Sequence, residues 1–227
     1  MPVTTNTVKL PTSKNAQSTL LAGKRVIFAM AASAEYGRCL EKLFIPLLTG
    51  VGPVEASIGM SSALAGLAHA AELPDLVVCL GSAGSCTLEH GRVYQVAQVS
   101  YRDMDATVLG VPKGVTPFLD QPAVMPLPYR IPGIEEASLS TGGAVISGEA
   151  YRGIDADMVD METYAIMRAC GRFGVPLIGL RGISDGAAAL TKITDWTDYL
   201  HLVDEQLAIA VEALARAIQD GTLKLKL

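Results

Sequence analysis

Glu162, Arg181 and Asp185 are the residues whose types and spacing could do chemistry. Met161, Tyr164, Ala165, Arg168 and Ala169 recur at helical spacing, and Gly171 and Gly174 supply stop signals, so Glu162 is predicted near the start of a helix. There, unpaired backbone N–H groups and the positive end of the helix dipole favour an ionised carboxylate. The next run, 176–183, is apolar throughout except for Arg181, as expected of a strand buried on both faces of a parallel sheet. A guanidinium in that position is costly unless paired. Ser184 and Asp185 arrive where the strand should end. Ligands of open α/β sheets bind beyond the carboxyl ends of the strands, so the three charged residues are candidates for one pocket. The competing reading is a buried Arg–carboxylate pair that only holds the strand end.

The elements that would position these groups alternate along the chain. A first strand is predicted at 25–31, followed by Glu35 in or before a helix at 34–43, where a solvated helix-start carboxylate competes with a pocket role. A short strand at 44–49 carries Pro46 and runs into Gly50-Val51-Gly52-Pro53, with Pro53 suited to the first position of a helix spanning 54–72. The strand 76–80 opens into Gly81-Ser82-Ala83-Gly84, whose small residues let backbone N–H groups approach a ligand. Further strands are expected at 91–100 and 143–147, separated by a proline-rich irregular stretch at 111–132. A helix at 195–220 repeats Leu200, Val203, Leu207, Val211, Leu214 and Ile218 on one face. Strands alternating with helices predict an α/β fold: one domain over 24–227 with a twisted, largely parallel but mixed central sheet flanked by helices, after a partly disordered tail at 1–23.

Composition narrows the function classes. Half of the 227 residues are hydrophobic, enough for one substantial core. The longest uncharged run, 56–71, is rich in Gly, Ala and Ser and contains His69, which fits a buried helix better than a membrane span. A net charge of −5 and 18 Lys plus Arg without a basic run argue against a nucleic-acid surface. Four cysteines and three histidines lack metal-ligand spacing, so no metal or cofactor is expected, and a reducing, cytoplasmic setting is. The start of the chain has no apolar signal-peptide core.

Taken in order, Gly81-Ser82-Ala83-Gly84, the stretch from Tyr101 to Thr107, Val159-Asp160-Met161-Glu162 and Arg181-Gly182-Ile183-Ser184-Asp185 resemble the nucleoside phosphorylase/nucleosidase superfamily, most closely its methylthioadenosine/S-adenosylhomocysteine nucleosidases. The resemblance implies a nucleoside phosphorylase-like fold, a homodimer, and cleavage of a purine nucleoside's N-glycosidic bond through a ribosyl cation-like transition state. It implies that Asp185 protonates or hydrogen-bonds the purine N7, that Glu162 accepts hydrogen bonds from the ribose hydroxyls, and that Met161 packs on the sugar. Tyr151 would stack on the base, with Ala83, Gly84 and Ser184 also in the substrate site. Ser82 and Arg181 would orient the attacking water, and Glu35 would deprotonate it. In the superfamily's phosphorylases an arginine stands three residues before the serine of the Gly-Ser turn; here that position is Cys79, which favours water over phosphate as nucleophile. The alternatives are a purine nucleoside phosphorylase and a nucleoside-binding protein without turnover, the latter disfavoured because binding alone needs no acid at N7.

Overall fold

The computed structural model describes residues 17–186, 191–192 and 196–225. Nine strands run β1 (Thr19–Leu21), β2 (Lys24–Met30), β3 (Leu47–Leu48), β4 (Leu76–Gly84), β5 (Val93–Tyr101), β6 (Val124–Pro126), β7 (Glu136–Thr141), β8 (Met158–Asp160) and β9 (Leu177–Asp185), with helices α1 (Pro53–His69), α2 (Thr163–Phe173) and α3 (Leu200–Gln219). The sheet is mixed, as the sequence predicts. It also closes on itself: β4 pairs with β9, β9 with β5, β5 with β7, β7 with β8, and β8 returns to β4. Parallel β2 adds to the outside of this ring on β4, and β3 and β1 flank β2.

Alternation along the inner strands explains why their sequences read as continuous apolar runs. Ile27 and Ala29 of β2 face the cluster built with α1 and α2, while Val26, Phe28 and Met30 face the cluster built with α3. Val77 and Cys79 against Leu76, Val78 and Leu80 repeat that division in β4. With both faces covered, no position in 26–30 or 76–81 is left for a solvated side chain.

α1 begins as the turn chemistry requires. Its N-cap Gly52 holds φ +94°, a conformation an L side chain rarely adopts, and Pro53 occupies the first turn, where its missing N–H costs nothing. α2 continues through Gly171 to Phe173 and is stopped by left-handed Gly174.

Three expectations are corrected. The chain at 34–43 is not a helix but two 3-10 turns, Ser33–Glu35 and Leu40–Lys42, separated by extended Tyr36. The reason lies in α3: the buried Asp204 carboxylate accepts the N–H groups of Gly37 (3.1 Å), Cys39 (2.8 Å) and Leu40 (3.1 Å), holding them out of a regular ladder. The strand expected at 143–147 lies earlier, at β7, where Ala137, Leu139 and Thr141 are buried alternately between β5 and β8. Residues 144–146 instead form part of a cavity wall. β1 pairs antiparallel with β2 ahead of residue 24. The strand at 44–49 shrinks to the two residues of β3 after Pro46. The beginning of the last helix at 195 lies outside the described residues.

Asp204 therefore ties α3 to the segment that follows Glu35. Asp204→Ala leaves three N–H groups without their acceptor, at roughly 1 kcal/mol or more each, so a loss of about 3 kcal/mol is expected. A thermal melt should show a midpoint lower by roughly 6–12 °C for a domain of this size.

Candidate functional site

At the carboxyl ends of β2, β4, β8 and β9 lies a cavity of about 510 Å³, a size typical of small-molecule sites. Of the residues singled out from sequence, Glu35, Ser82, Ala83, Gly84, Met161, Glu162 and Asp185 line it. Tyr151, Arg181 and Ser184 do not.

Glu35 reaches the cavity from the 3-10 turn after β2 and is only 5 % exposed, so it is not the solvated helix-start carboxylate that local sequence allows. Its Oε1 accepts both the Ser82 N–H (2.7 Å) and the Ser82 hydroxyl (2.6 Å). Its Oε2 is buried and meets no donor among the described residues. Gly81 makes the approach possible: a Cβ there would lie 3.0 Å from Glu35 Oε1 and 2.8 Å from a terminal nitrogen of Arg181. Carboxylate and guanidinium thus converge across a position that has no side chain.

Arg181 is 1 % exposed and is not among the residues that line the cavity. Its carboxylate partner is Asp160, at 2.7 Å, rather than Glu162 or Asp185, and it also donates to the Thr163 hydroxyl (2.6 Å) and to Cys79 Sγ (3.1 Å). Asp160 in turn takes the Thr163 N–H (2.8 Å) at the start of α2 and the Thr141 hydroxyl. This buried network is the strand-end ion pair that the sequence allowed. The buried Cys79 thiol is pushed up to about 11 by burial, with the neighbouring guanidinium pulling the other way, and remains neutral at pH 7.

Glu162 is the N-cap residue of α2, but its side chain does not cap the helix. Asp160 does that instead. The Glu162 carboxylate accepts the N–H of Gly52 at 2.9 Å from across the cavity. Burial, reinforced by the Asp160 charge, pushes it up to about 7 against the pull of Arg181 and the Gly52 N–H. The helix-start argument from sequence predicted the opposite direction. Desolvation prevails because the first N–H groups of the helix are bonded to Asp160 and to the Thr141 hydroxyl rather than to Glu162.

Asp185, at the end of β9, is half-buried, and burial raises its carboxyl above the usual range while the Ser184 hydroxyl and His90 pull it down. Ser184 is fully buried and donates to Asp185 Oδ2 at 2.8 Å, so it orients the acid from behind. Gly84 leaves room for this end of the cavity: a Cβ there would lie 2.8 Å from Asp185 Oδ1 and would collide with the Tyr151 hydroxyl. That hydroxyl is buried without a hydrogen-bond partner among the described residues. Tyr151 therefore abuts the acid's end of the cavity from outside.

Sequence reasoning missed Trp196, Arg102 and Asp160. Trp196 lines the cavity and donates its indole N–H to Ser82 Oγ at 2.9 Å. Arg102 also lines it, and its guanidinium holds the backbone carbonyls of Asp160 (3.0 Å), Gly142 (3.3 Å) and Ala144 (2.7 Å), fixing the loop after β7 against β8. The available signals were the chain's single tryptophan and a carboxylate two residues before Glu162.

The sequence matches the phosphorylase superfamily over residues 33–220. The 5′-methylthioadenosine/S-adenosylhomocysteine nucleosidase of Haemophilus influenzae (strain PittEE) is 32% identical over 200 residues, 79% of this chain and 84% of the relative. The enzyme of the same name from Halalkalibacterium halodurans is 31% identical over 172 residues, 67% of this chain and 72% of its own. Among solved structures, futalosine hydrolase of Helicobacter pylori strain 26695 aligns with a TM-score of 0.70 at 18% identity, covering 84% of this chain and 97% of its own. A nucleosidase from Colwellia psychrerythraea 34H in complex with adenine aligns at 0.69 with 21% identity, covering 93% and 99%. The superfamily match starts at the turn that carries Glu35 and ends with α3, so it takes in the ends of β4, β8 and β9 at the cavity, and this chain belongs to the phosphorylase superfamily.

Proposed function

We propose that this protein hydrolyses the N-glycosidic bond of a purine nucleoside, an adenosine derivative such as methylthioadenosine or S-adenosylhomocysteine, with water as the nucleophile. The observation that carries the choice of water is the bond between Glu35 and Ser82. The N–H and hydroxyl of Ser82 are the donors that an incoming phosphate would need, and both already serve an internal carboxylate at 2.7 and 2.6 Å. A phosphate dianion brought there would meet that carboxylate's charge. Three residues before Ser82 the neutral thiol of Cys79 supplies no cation, and the nearby Arg181 is committed to Asp160.

In this reading the three carboxyl groups divide the work. Asp185, whose carboxyl burial raises above the usual range, donates to the purine N7 and makes the base a better leaving group. Glu162 accepts the ribose hydroxyls and sets negative charge beside the developing cation, with Met161 against the sugar. Glu35 takes a proton from the attacking water. Ala83 and Gly84 form the floor between Glu35 and Asp185, Tyr151 backs the base end, and Ser184 orients the acid. Arg181 acts through Asp160, as the anchor of the strand end. The relatives' names support the substrate class, and the exposed Val108, Leu109 and Phe118 support a homodimer. No helix among the described residues is long and apolar enough to cross a membrane. The four unbridged cysteines fit a cytoplasmic setting.

Methylthioadenosine incubated with the purified protein in phosphate-free buffer is expected to yield adenine and the free thioribose at full rate. A ribose 1-phosphate product, or a rate that rises saturably with added phosphate, favours the phosphorylase reading instead. No free base under either condition favours a binding protein.

A further inference from the structure

The indole of Trp196 is half-buried in the cavity wall, 114 positions along the chain from Ser82, and its N–H lies 2.9 Å from Ser82 Oγ. An indole nitrogen can only donate, so the serine oxygen is the acceptor in that contact. The one proton of the serine hydroxyl is then directed to its remaining near neighbour, Glu35 Oε1, at 2.6 Å. The direction of the whole chain, indole to hydroxyl to carboxylate, follows from the donor-only chemistry of its first member. Oε1 is also bonded by the Ser82 N–H at 2.7 Å, which leaves Oε2 as the carboxylate oxygen without a donor among the described residues.

We propose that Trp196 is a positioning residue of the hydrolytic site: it locks the Ser82 hydroxyl onto Glu35 Oε1, so that Oε2 is the carboxylate oxygen left without a donor to take the proton. The inference rests on Glu35 acting as the base. It assigns to Ser82 the task of holding the carboxylate rather than the water, and to Trp196 a task that an aromatic ring without an N–H cannot do.

A double-mutant cycle with methylthioadenosine as substrate tests it. Trp196→Phe keeps the ring and removes the donor; kcat should fall about three- to tenfold, the worth of one hydrogen bond, with KM changed by less than about twofold. In the Ser82→Ala background the same substitution should change kcat by less than about twofold, because the hydroxyl it orients is gone. Equal losses in the two backgrounds, or a raised KM at constant kcat, overturn the proposal and make Trp196 a stacking surface for substrate. Trp196 is the protein's only tryptophan, so its fluorescence reads the contact without turnover. Ser82→Ala should shift the emission, and unchanged emission overturns the proposal. If the wild-type protein releases no adenine, the proposed function itself fails, and the emission arm still decides the contact.

Discussion

Glu35→Gln is expected to reduce kcat by roughly 10²–10⁴-fold, the loss typical of a missing general base, while nucleoside binding persists. The amide keeps an oxygen for the Ser82 N–H and hydroxyl but cannot take a proton from water. The variant should keep its fold, since Oε1 carries both of the side chain's hydrogen bonds and Oε2 carries none among the described residues. Steady-state kinetics beside an equilibrium titration with adenine make the comparison. Full turnover with only a lower melting temperature would make Glu35 a structural group of the 3-10 turn and return the choice of base to the remaining carboxylates.

Asp185→Asn is the second large effect, also expected at roughly 10²–10⁴-fold in kcat. Asparagine can still offer an N–H to the purine N7, so binding survives, but it has no proton to give up as the bond breaks. The pH dependence carries the same signature. Burial raises the Asp185 carboxyl, with Ser184 and His90 opposing, so the acid form persists to higher pH than for a solvated aspartate. Activity that needs this proton declines as pH rises through the raised value, and the decline should vanish from the residual activity of the asparagine variant. The effect on stability has the same sign. A carboxyl raised on folding contributes stability that is fully present below its unfolded value near 3.9 and is lost as pH rises through the folded one. Near-wild-type turnover of Asp185→Asn at every pH tested would rule the acid out.

Glu162 shows where local reasoning and tertiary structure disagree. Position in sequence places it correctly at the start of α2, and the dipole rule then favours an ionised group. In the folded protein Asp160 takes the helix's first N–H, Glu162 bonds to Gly52 from another element, and burial raises it to about 7. Which of two nearby carboxylates caps the helix is decided by Arg181, which holds Asp160 at 2.7 Å.

The amino-acid sequence by itself determined the elements whose period is local: the two-faced apolar strands β2, β4 and β9, the stripes of α2 and α3, and the strand ends that carry Ser82, Glu162 and Asp185. Four ordered motifs were sufficient for the superfamily. Only the tertiary structure decided the rest, because those features depend on partners far along the chain. Residues 34–43 have helical composition, but Asp204 claims their N–H groups from some 165 positions away. The apolar stretch 143–147 has strand composition, yet Arg102 and Asp103 hold it as a loop and its side chains go to the cavity. The partner of Arg181, the closure of the sheet into a ring and the indole above Ser82 are likewise contacts between elements. Periodicity records which face of an element is buried, whereas hydrogen-bonding partners are chosen by the three-dimensional competition among buried polar groups, each of which must be satisfied by whatever packing brings nearest.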